Sequence, residues 1–288
     1  MAIKIENNTF SDVCPLCNSK EIKYLGTINY PEDISFSSTK IVLLTKPELW
    51  KCNHCFSCFT QNIIQEKQAY ELYINSSSVQ RWSTKETFNT SKSKNIIEYL
   101  KSMFSKKLKV LDIGCNTGLL LDFAKSHECI TSGIELSVES KHILKKKGHQ
   151  VFESIDEIED ESLDVITAFD LIEHLYDVKG FLETVYTKLK KNGRLIILTG
   201  NIDSLSSRIA KSNWWYIKYP EHIVFPSKKY FIENTNFILE SSIETYASRG
   251  YENSYYKIFY SVLKATLRSN YNGLPSIGPD HHLLVLKK

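Results

Sequence analysis

The chain has 288 residues, of which 42% are hydrophobic and 24% charged, a composition typical of a globular protein. The formal charge of +3 is too small to indicate a nucleic-acid or membrane partner by itself. Because no apolar run approaches the roughly 18 residues of a membrane span, and the amino terminus lacks the apolar segment of a signal peptide, we expect a cytoplasmic protein without a membrane partner.

The first feature along the chain is a group of cysteines in two C-x-x-C pairs, "CPLC" and "CNHC". Cytoplasmic thiols stay reduced, and two such pairs can present four thiolates to zinc in a tetrahedral arrangement. We therefore predict a structural zinc ribbon over residues 1–74, after which Cys58 enters a strand. The predicted zinc ligands are Cys14, Cys17, Cys52 and Cys55.

The segment that follows the ribbon separates two domains. "QNIIQEKQAYELYI" has the spacing of an amphipathic helix, and residues 75–93 are rich in Ser, Thr, Asn and Lys, as is usual for a linker. We place the second domain at residues 94–288, beginning with the helical segment "NIIEYLKSMF".

From Lys109 onward, predicted strands and helices alternate. The predicted strands are "KVLDIG", "CITSGIEL", "QVFES", "LDVITAFD" and "RLIILTG", with "FILESSIETYA" and "HHLLVLKK" near the end. The helices between them are "GLLLDFAKS", "SVESKHILKKKG" and "VKGFLETVYTKLKKNG". This order predicts a doubly wound, Rossmann-like α/β sheet with ligands at the carboxyl ends of its strands.

A glycine-containing turn, "VLDIGCNTG", joins the first of these strands to a helix. Gly114 and Gly118 let the backbone approach a ligand closely, and the helix start offers free N–H groups. The G-x-x-x-G spacing differs from the dinucleotide fingerprint. Glu135 ends the next predicted strand, where an acid can bind both hydroxyls of a ribose. The pattern predicts a nucleoside-containing cofactor.

A second polar group follows the fourth strand in "FDLIEHLYD". Asp170, Glu173 and His174 have i, i+3, i+4 spacing, which places them on one face of a helix. His222, in "YPEHIVF", returns from a later loop. Three roles remain open: a Mg²⁺ or Mn²⁺ site, a metal-free base at His174, or a helix cap with a packed histidine.

These blocks, in this order, resemble class I S-adenosylmethionine-dependent methyltransferases. The segments "EHL" and "WWYIKYPEHIVFPS" are similar to the branch that includes 3-demethylubiquinone O-methyltransferase and many enzymes of sugar and surface-glycan pathways. The resemblance covers about residues 94–247. It implies a seven-stranded sheet whose last strand is antiparallel, with S-adenosylmethionine as cofactor.

The resemblance also implies the cofactor site. Asp112 and the backbone of residues 114–118 would hold the methionine end, Glu135 the ribose, and Ile155 would flank the adenine. Asn116 stands where a glycine is common in the family. The implied cofactor-binding residues are Asp112, Gly114, Cys115, Asn116, Gly118, Glu135, Leu136, Ile155 and Phe169.

The Asp-x-x-Glu-His pattern with a distant histidine resembles the magnesium- or manganese-binding set of small-RNA 2′-O-methyltransferases, whose first acid is Glu rather than Asp. The implied metal ligands are Asp170, Glu173, His174 and His222. Both histidines are also candidate catalytic residues, because a base must take the acceptor's proton.

The function we expect is O-methylation of a small acceptor, such as a nucleotide-linked sugar or another phosphorylated intermediate of surface polysaccharide. Trp214, Trp215 and Tyr216 share one loop and are predicted to line the acceptor pocket, because aromatic faces stack on sugars and bases. Two alternatives remain open: an RNA methyltransferase whose ribbon grips RNA, and a non-catalytic binding module with a degenerate cofactor fold.

Overall fold

The computed structural model describes residues 2–30, 34–36, 38–74, 94–245, 273–274, 276 and 278–288. The predicted linker at 75–93 lies outside these residues. Among the helices in the described ranges, none is both long and apolar enough to cross a membrane.

The amino-terminal part consists of two small sheets and a helix. Its strands are β1 (Ile3–Ile5), β2 (Ile22–Thr27), β3 (Ile34–Phe36), β4 (Thr39–Leu43), β5 (Glu48–Cys52) and β6 (Cys58–Gln61). Strands β1, β4 and β3 form one sheet, and β2, β5 and β6 belong to the other. Helix α1 (Glu66–Ile74) begins later than its sequence spacing predicts, because Gln61 still pairs with Glu48 of β5.

The second part contains the alternating elements. They are α2 (Lys94–Met103), β7 (Lys109–Ile113), α3 (Leu119–Ser126), β8 (Ile130–Ile134), α4 (Val138–Lys146), β9 (Gln150–Phe152), β10 (Leu163–Phe169), α5 (Val178–Lys188), β11 (Leu189–Gly200), α6 (Leu205–Ala210), β12 (Val224–Phe225), α7 (Lys228–Glu233), β13 (Ile238–Thr245) and β14 (His281–Lys287). Short 3₁₀ turns lie at Ile155–Glu157, Ile172–His174 and Lys211–Asn213.

The main sheet has seven strands in the order β13-β14-β11-β10-β7-β8-β9. Strands β7 to β11 are parallel, and β14 runs antiparallel to both of its neighbours. The predicted Rossmann-like fold with an antiparallel last strand is therefore confirmed. Strand order reverses between β7 and β10, and ligands of open α/β sheets bind at such a switch point.

Both faces of this sheet are buried, which explains the nearly continuous apolar runs of its central strands. Ile166 of β10 and Leu195 of β11 belong to a core on one face, whereas Val165 and Ile196 belong to a core on the other. The alternation places successive side chains in different helix-covered layers.

The border between α5 and β11 differs from the predicted one. The helical pattern continues to Gly193, but the helix ends at Lys188 and the strand begins at Leu189. Leu189 is buried and pairs with Leu163, so the sheet overrides the local helical spacing. Asn192 then takes a left-handed conformation, φ 65°, within the irregular start of the strand.

The two parts of the chain share a sheet. Strand β12 lies in the second part yet pairs antiparallel with β6, with Val224 opposite Phe59 and Phe225 opposite Cys58. The Thr60 N–H also donates to the Ile223 carbonyl at 2.8 Å. The domain boundaries 1–74 and 94–288 thus remain predictions. In the structure, the sheet of the amino-terminal part includes a strand from the second part.

Candidate active site

The four cysteines predicted to bind zinc converge at one point. The Sγ atoms of Cys14 and Cys55 are 3.8 Å apart, those of Cys17 and Cys52 are 3.6 Å apart, and all four lie within 4.8 Å of one another. Zn–S bonds of about 2.3 Å in a tetrahedron place sulfurs about 3.8 Å apart. The thiols are free, so the observed spacing fits a zinc ligand set.

Electrostatics within this cluster favour a negative charge. Hydrogen bonding from Cys14 lowers the pKa of Cys55 to about 5, and the same bond raises the pKa of Cys14. Three of the four side chains are fully buried. A cation would offset the cost of a buried thiolate, as a structural zinc ion does.

The turn between β7 and α3 is built from left-handed residues. Gly114, Asn116 and Gly118 have φ of 73°, 46° and 79°. Asparagine tolerates this conformation better than most residues, which explains why Asn116 can replace a glycine. Its side-chain oxygen accepts a hydrogen bond from Ser140 Oγ at 3.4 Å. The result is a narrow turn at the start of α3.

Glu135 follows β8 and braces this turn. Its Oε2 accepts the Asn116 N–H at 2.8 Å, and its Oε1 accepts the Ser137 N–H at 2.9 Å. Each carboxylate oxygen keeps a second lone pair, and such a pair of fixed oxygens suits two adjacent hydroxyls. Sequence alone could place Glu135 at a strand end but could not show these two bonds.

Asp112 is buried in β7, where it accepts a hydrogen bond from Thr167 Oγ1 at 2.6 Å. Burial raises the pKa of Asp112 to about 7, Thr167 lowers it, and nearby Glu135 raises it further. A ligand carrying an ammonium or sulfonium charge would stabilise the ionised form. The acid therefore fits a cationic ligand.

The remaining predicted cofactor residues lie along the same edge of the sheet. Cys115 belongs to the β7–α3 turn, Leu136 follows Glu135, Ile155 begins the 3₁₀ turn after β9, and Phe169 ends β10. Leu136 is exposed, and Ile155 and Phe169 are half-buried. The fold thus assembles this predicted set at the carboxyl ends of its parallel strands.

A second candidate centre contains a carboxylate and two imidazoles. The ligand atoms of Glu173, His174 and His222 lie within 4.8 Å of one another, and the two histidine rings have centroids 4.7 Å apart. Asp170 is not in this group. It has φ 47° and is exposed, and residues 172–174 form a 3₁₀ turn rather than the α-helix that the spacing predicts.

Glu173 is fully buried, and each of its carboxylate oxygens accepts one hydrogen bond. Its Oε2 accepts Thr199 Oγ1 at 2.9 Å, and its Oε1 accepts the hydroxyl of Tyr216. Burial raises the pKa of Glu173, with His174 opposing that shift. A buried carboxylate without a positive partner is costly. A bound cation would therefore stabilise its charged form.

The tautomers of both histidines follow from their hydrogen bonds to backbone carbonyls, because a carbonyl oxygen can only accept a hydrogen bond. His174 Nδ1 lies 2.9 Å from the Glu221 carbonyl, and His222 Nδ1 lies 2.8 Å from the Tyr216 carbonyl. Each Nδ1 therefore carries the hydrogen, and each Nε2 has a lone pair. Burial also lowers the pKa of His222 well below its usual range. Neutral imidazoles held in this way are typical metal ligands.

The amino-terminal part reaches this centre directly. The hydroxyl of Tyr73, in α1, lies 3.0 Å from His174 Nδ1. The Ile223 N–H, next to β12, donates to the Glu173 carbonyl at 2.8 Å. The sequence analysis did not find Tyr73, because helical spacing identifies a buried face but not the residue that it meets.

The loop with Trp214, Trp215 and Tyr216 exposes fewer aromatic side chains than a pocket lining requires. Trp214 is 1% exposed and packs near Phe225 in the core, and Tyr216 is also buried. Trp215 is half-buried, with Lys218 Nζ 5.2 Å from its ring centroid. Only Trp215 of the three predicted pocket residues therefore retains substantial exposure.

Comparison with known proteins relates the chain to one family. A family model described as a methyltransferase domain matches residues 82–234. Ubiquinone biosynthesis O-methyltransferase from Pasteurella multocida is 30% identical over 112 residues, covering 32% of this chain and 46% of that protein. The Rickettsia prowazekii protein of the same name is 30% identical over 116 residues, covering 37% and 46%. The matched stretch thus spans less than half the length of these relatives.

A solved structure supports the fold assignment. A protein from Galdieria sulphuraria, provisionally identified as a sarcosine dimethylglycine methyltransferase, matches with a TM-score of 0.50 at 16% identity. The match covers 68% of this chain and 86% of the other. At this identity the likeness concerns the fold alone.

Proposed function

Because this chain belongs to the methyltransferase-domain family, as a class I S-adenosylmethionine-dependent methyltransferase, we propose that it methylates an oxygen atom of a small acceptor. The acceptor class is a hydroxylated or phosphorylated intermediate, such as a nucleotide-linked sugar of surface polysaccharide. The observation that carries the proposal is the buried group of Glu173, His174 and His222 at the carboxyl edge of the sheet. The O-methyltransferases among its relatives support oxygen as the acceptor atom.

The cofactor-binding residues have distinct tasks in this proposal. Asp112 and the turn 114–118 hold the methionine end, and Glu135 holds the ribose hydroxyls. S-adenosylmethionine supplies a methyl group on a sulfonium, which is already electrophilic. The protein must therefore align donor and acceptor, and help the acceptor to lose its proton.

The metal part of the proposal rests on the chemistry of one donor set. Glu173, His174 and His222 would hold Mg²⁺ or Mn²⁺ through one carboxylate and two neutral imidazoles. A cation held by these residues would lower the pKa of an acceptor hydroxyl. Burial raises the pKa of Glu173, and a bound cation would offset that cost by stabilising its ionised form.

Replacing Glu135 with alanine is expected to weaken binding of S-adenosylhomocysteine by about 1–3 kcal/mol, the usual loss for a charged hydrogen bond. Glu135→Gln should lose less, because one oxygen still accepts a backbone N–H. Isothermal titration calorimetry measures both. Glu183→Ala, at an exposed acid on α5, is the matched control. Equal affinities for all four proteins would refute the role of Glu135.

The affinity for S-adenosylhomocysteine is expected to fall at acidic pH. Burial raises the pKa of Asp112 to about 7, so below that pH the free protein carries a protonated acid that must ionise to meet the ligand's ammonium group. Each pH unit below 7 should cost roughly tenfold in affinity. Calorimetry between pH 5.5 and 8.5 measures the trend, which Asp112→Asn should flatten. A flat wild-type profile would contradict the assignment.

The proposed acceptor class is tested by methyl transfer from tritiated S-adenosylmethionine into a cell extract, followed by sorting of the label by size and nuclease sensitivity. Label in small, nuclease-resistant, phosphatase-sensitive material supports the proposal. Label in large material destroyed by ribonuclease would replace it with RNA methylation. A wild-type protein that fails to bind S-adenosylhomocysteine would be a binding module instead.

A further inference from the structure

The start of β14 places a buried acid beside a histidine. Asp280 Oδ1 lies 3.0 Å from His281 Nδ1. The side chain of Asp280 is 2% exposed and that of His281 is 8% exposed, so both are buried. Two further donors reach Asp280 Oδ2: the indole Nε1 of Trp215 at 2.7 Å, and the hydroxyl of Ser276.

These contacts define the chemical state of the pair. The carboxylate of Asp280 accepts hydrogen bonds from Trp215, Ser276 and His281. As the acceptor, it fixes the hydrogen of His281 on Nδ1 and leaves a lone pair on Nε2. Among the described residues, none forms a hydrogen bond with that Nε2. Nε2 is thus available to take a proton.

The pair lies on the edge of the sheet that carries the cofactor residues. His281 pairs with Gly200, the last residue of β11, while Phe169 ends β10 on the other side of that strand. Phe169 is opposite Leu198 and His281 is opposite Gly200, so two strand spacings of about 4.8 Å and a two-residue offset along β11 place the two residues about 12 Å apart. Both residues therefore border the same carboxyl edge of the parallel strands.

Aromatic rings connect the pair with the centre described above. The ring of Trp215 stacks on His281 with centroids 5.7 Å apart, and the ring of Tyr216 meets His281 edge-on at 4.7 Å. The hydroxyl of Tyr216 donates to Glu173. Tyr216 thus stands between two centres: the Glu173–His174–His222 group and the Asp280–His281 pair.

We propose that His281 is the general base that takes the proton of the acceptor, and that Asp280 positions it. The inference rests on the proposed function. The acceptor O–H proton passes to His281 Nε2, the oxygen forms a bond with the methyl carbon, and the carbon–sulfur bond breaks. Its electron pair stays on sulfur and yields S-adenosylhomocysteine, after which the imidazolium releases its proton to water.

This assignment divides the work between the histidines. A ring nitrogen of His174 and one of His222 lie within 4.8 Å of the Glu173 carboxylate, and in the proposed function these residues would hold a cation, so neither is needed as the base. His281 is oriented by a carboxylate instead, the arrangement that positions a histidine for proton transfer.

The test compares His281→Gln and Asp280→Asn with wild type in tritiated methyl transfer into the small-molecule fraction of a cell extract, from pH 5.5 to 9. His281→Gln is expected to lose 10²- to 10⁴-fold in rate, the usual contribution of a general base, with unchanged calorimetric affinity for S-adenosylhomocysteine. Asp280→Asn should shift the acidic limb of the pH–rate profile. His142→Gln, at an exposed histidine on α4, should match wild type.

Chemical rescue distinguishes a base from a residue that only packs. Added imidazole should restore part of the activity of His281→Ala, because a small base can fill the space left by the side chain. A rate of His281→Gln within threefold of wild type, or a His281→Ala variant that imidazole does not rescue, would overturn the inference. A wild-type protein that binds S-adenosylhomocysteine but labels no acceptor would instead overturn the proposed function.

Discussion

Replacing Cys55 with serine is expected to reduce bound zinc from about one equivalent per chain to almost none. In zinc-finger peptides the bound ion contributes about 10–16 kcal/mol, most of which depends on a complete ligand set. The loss of order should extend into the second part of the chain. Strand β12 pairs with β6, and the Thr60 N–H donates a hydrogen bond to the Ile223 carbonyl. Residues 222–225 should therefore lose their fixed position.

Two measurements check this expectation without relying on activity. Metal content by mass spectrometry gives the zinc equivalents, and hydrogen exchange gives the protection of the backbone amides of residues 223–225. In Cys55→Ser, exchange should accelerate there while β7 and β10 remain protected. Cys129→Ser is the matched control, because Cys129 is also buried but lies outside the cluster and its hydroxyl replacement can still donate to the Ser105 carbonyl. Unchanged zinc content in Cys55→Ser would contradict the predicted ligand set.

Removing one donor from the second centre is expected to lower methyl transfer by at least about 100-fold, because a metal ion contributes several kcal/mol when it stabilises developing charge. The informative variants are His222→Ala and Glu173→Gln. Each changes a ligand atom of the group that lies within 4.8 Å. Mn²⁺ should restore chelator-treated wild type but neither variant.

The experiment must separate this centre from the cysteine cluster, since a chelator would remove a metal ion from either. Treatment with EDTA is therefore limited to conditions that leave zinc content unchanged, and Mn²⁺ binding is followed by electron paramagnetic resonance. Wild type and the His142→Ala control should bind one Mn²⁺ per chain, and the two variants none. Full activity in chelator, with no Mn²⁺ bound, would exclude the metal and leave the histidines with another role.

Much of the fold followed from local patterns. The apolar runs of β7, β8, β10 and β11 and the turn at Gly114 predicted a Rossmann-like sheet. Strands of a parallel sheet are covered by helices on both faces, and so their sequences are apolar almost throughout. The same patterns placed Asp112 and Glu135 at strand ends. The positions of these two residues depend on neighbours close in sequence, and so they could be predicted from the sequence.

The second centre shows where local spacing fails. Asp170, Glu173 and His174 have helical spacing, but the Asp170 N–H pairs with the Leu198 carbonyl and the chain continues in a 3₁₀ turn. Asp170 is therefore not part of the group within 4.8 Å, although the Tyr216 hydroxyl contacts both Asp170 and Glu173. Trp214 likewise has a sequence typical of a binding loop, but the ribbon and β12 enclose it in a core.

The sequence by itself determined the fold class, and it predicted the zinc ligands and the cofactor edge, because these depend on residue types at fixed spacings within short segments. Only the tertiary structure decided which distant residues meet. The Tyr73 hydroxyl lies beside His174, β12 pairs with β6 of the amino-terminal part, and Asp280 contacts His281, whose ring stacks on Trp215. Such contacts are set by chain segments that approach through packing, whose free energy is spread over many apolar side chains and leaves no signature at any one position.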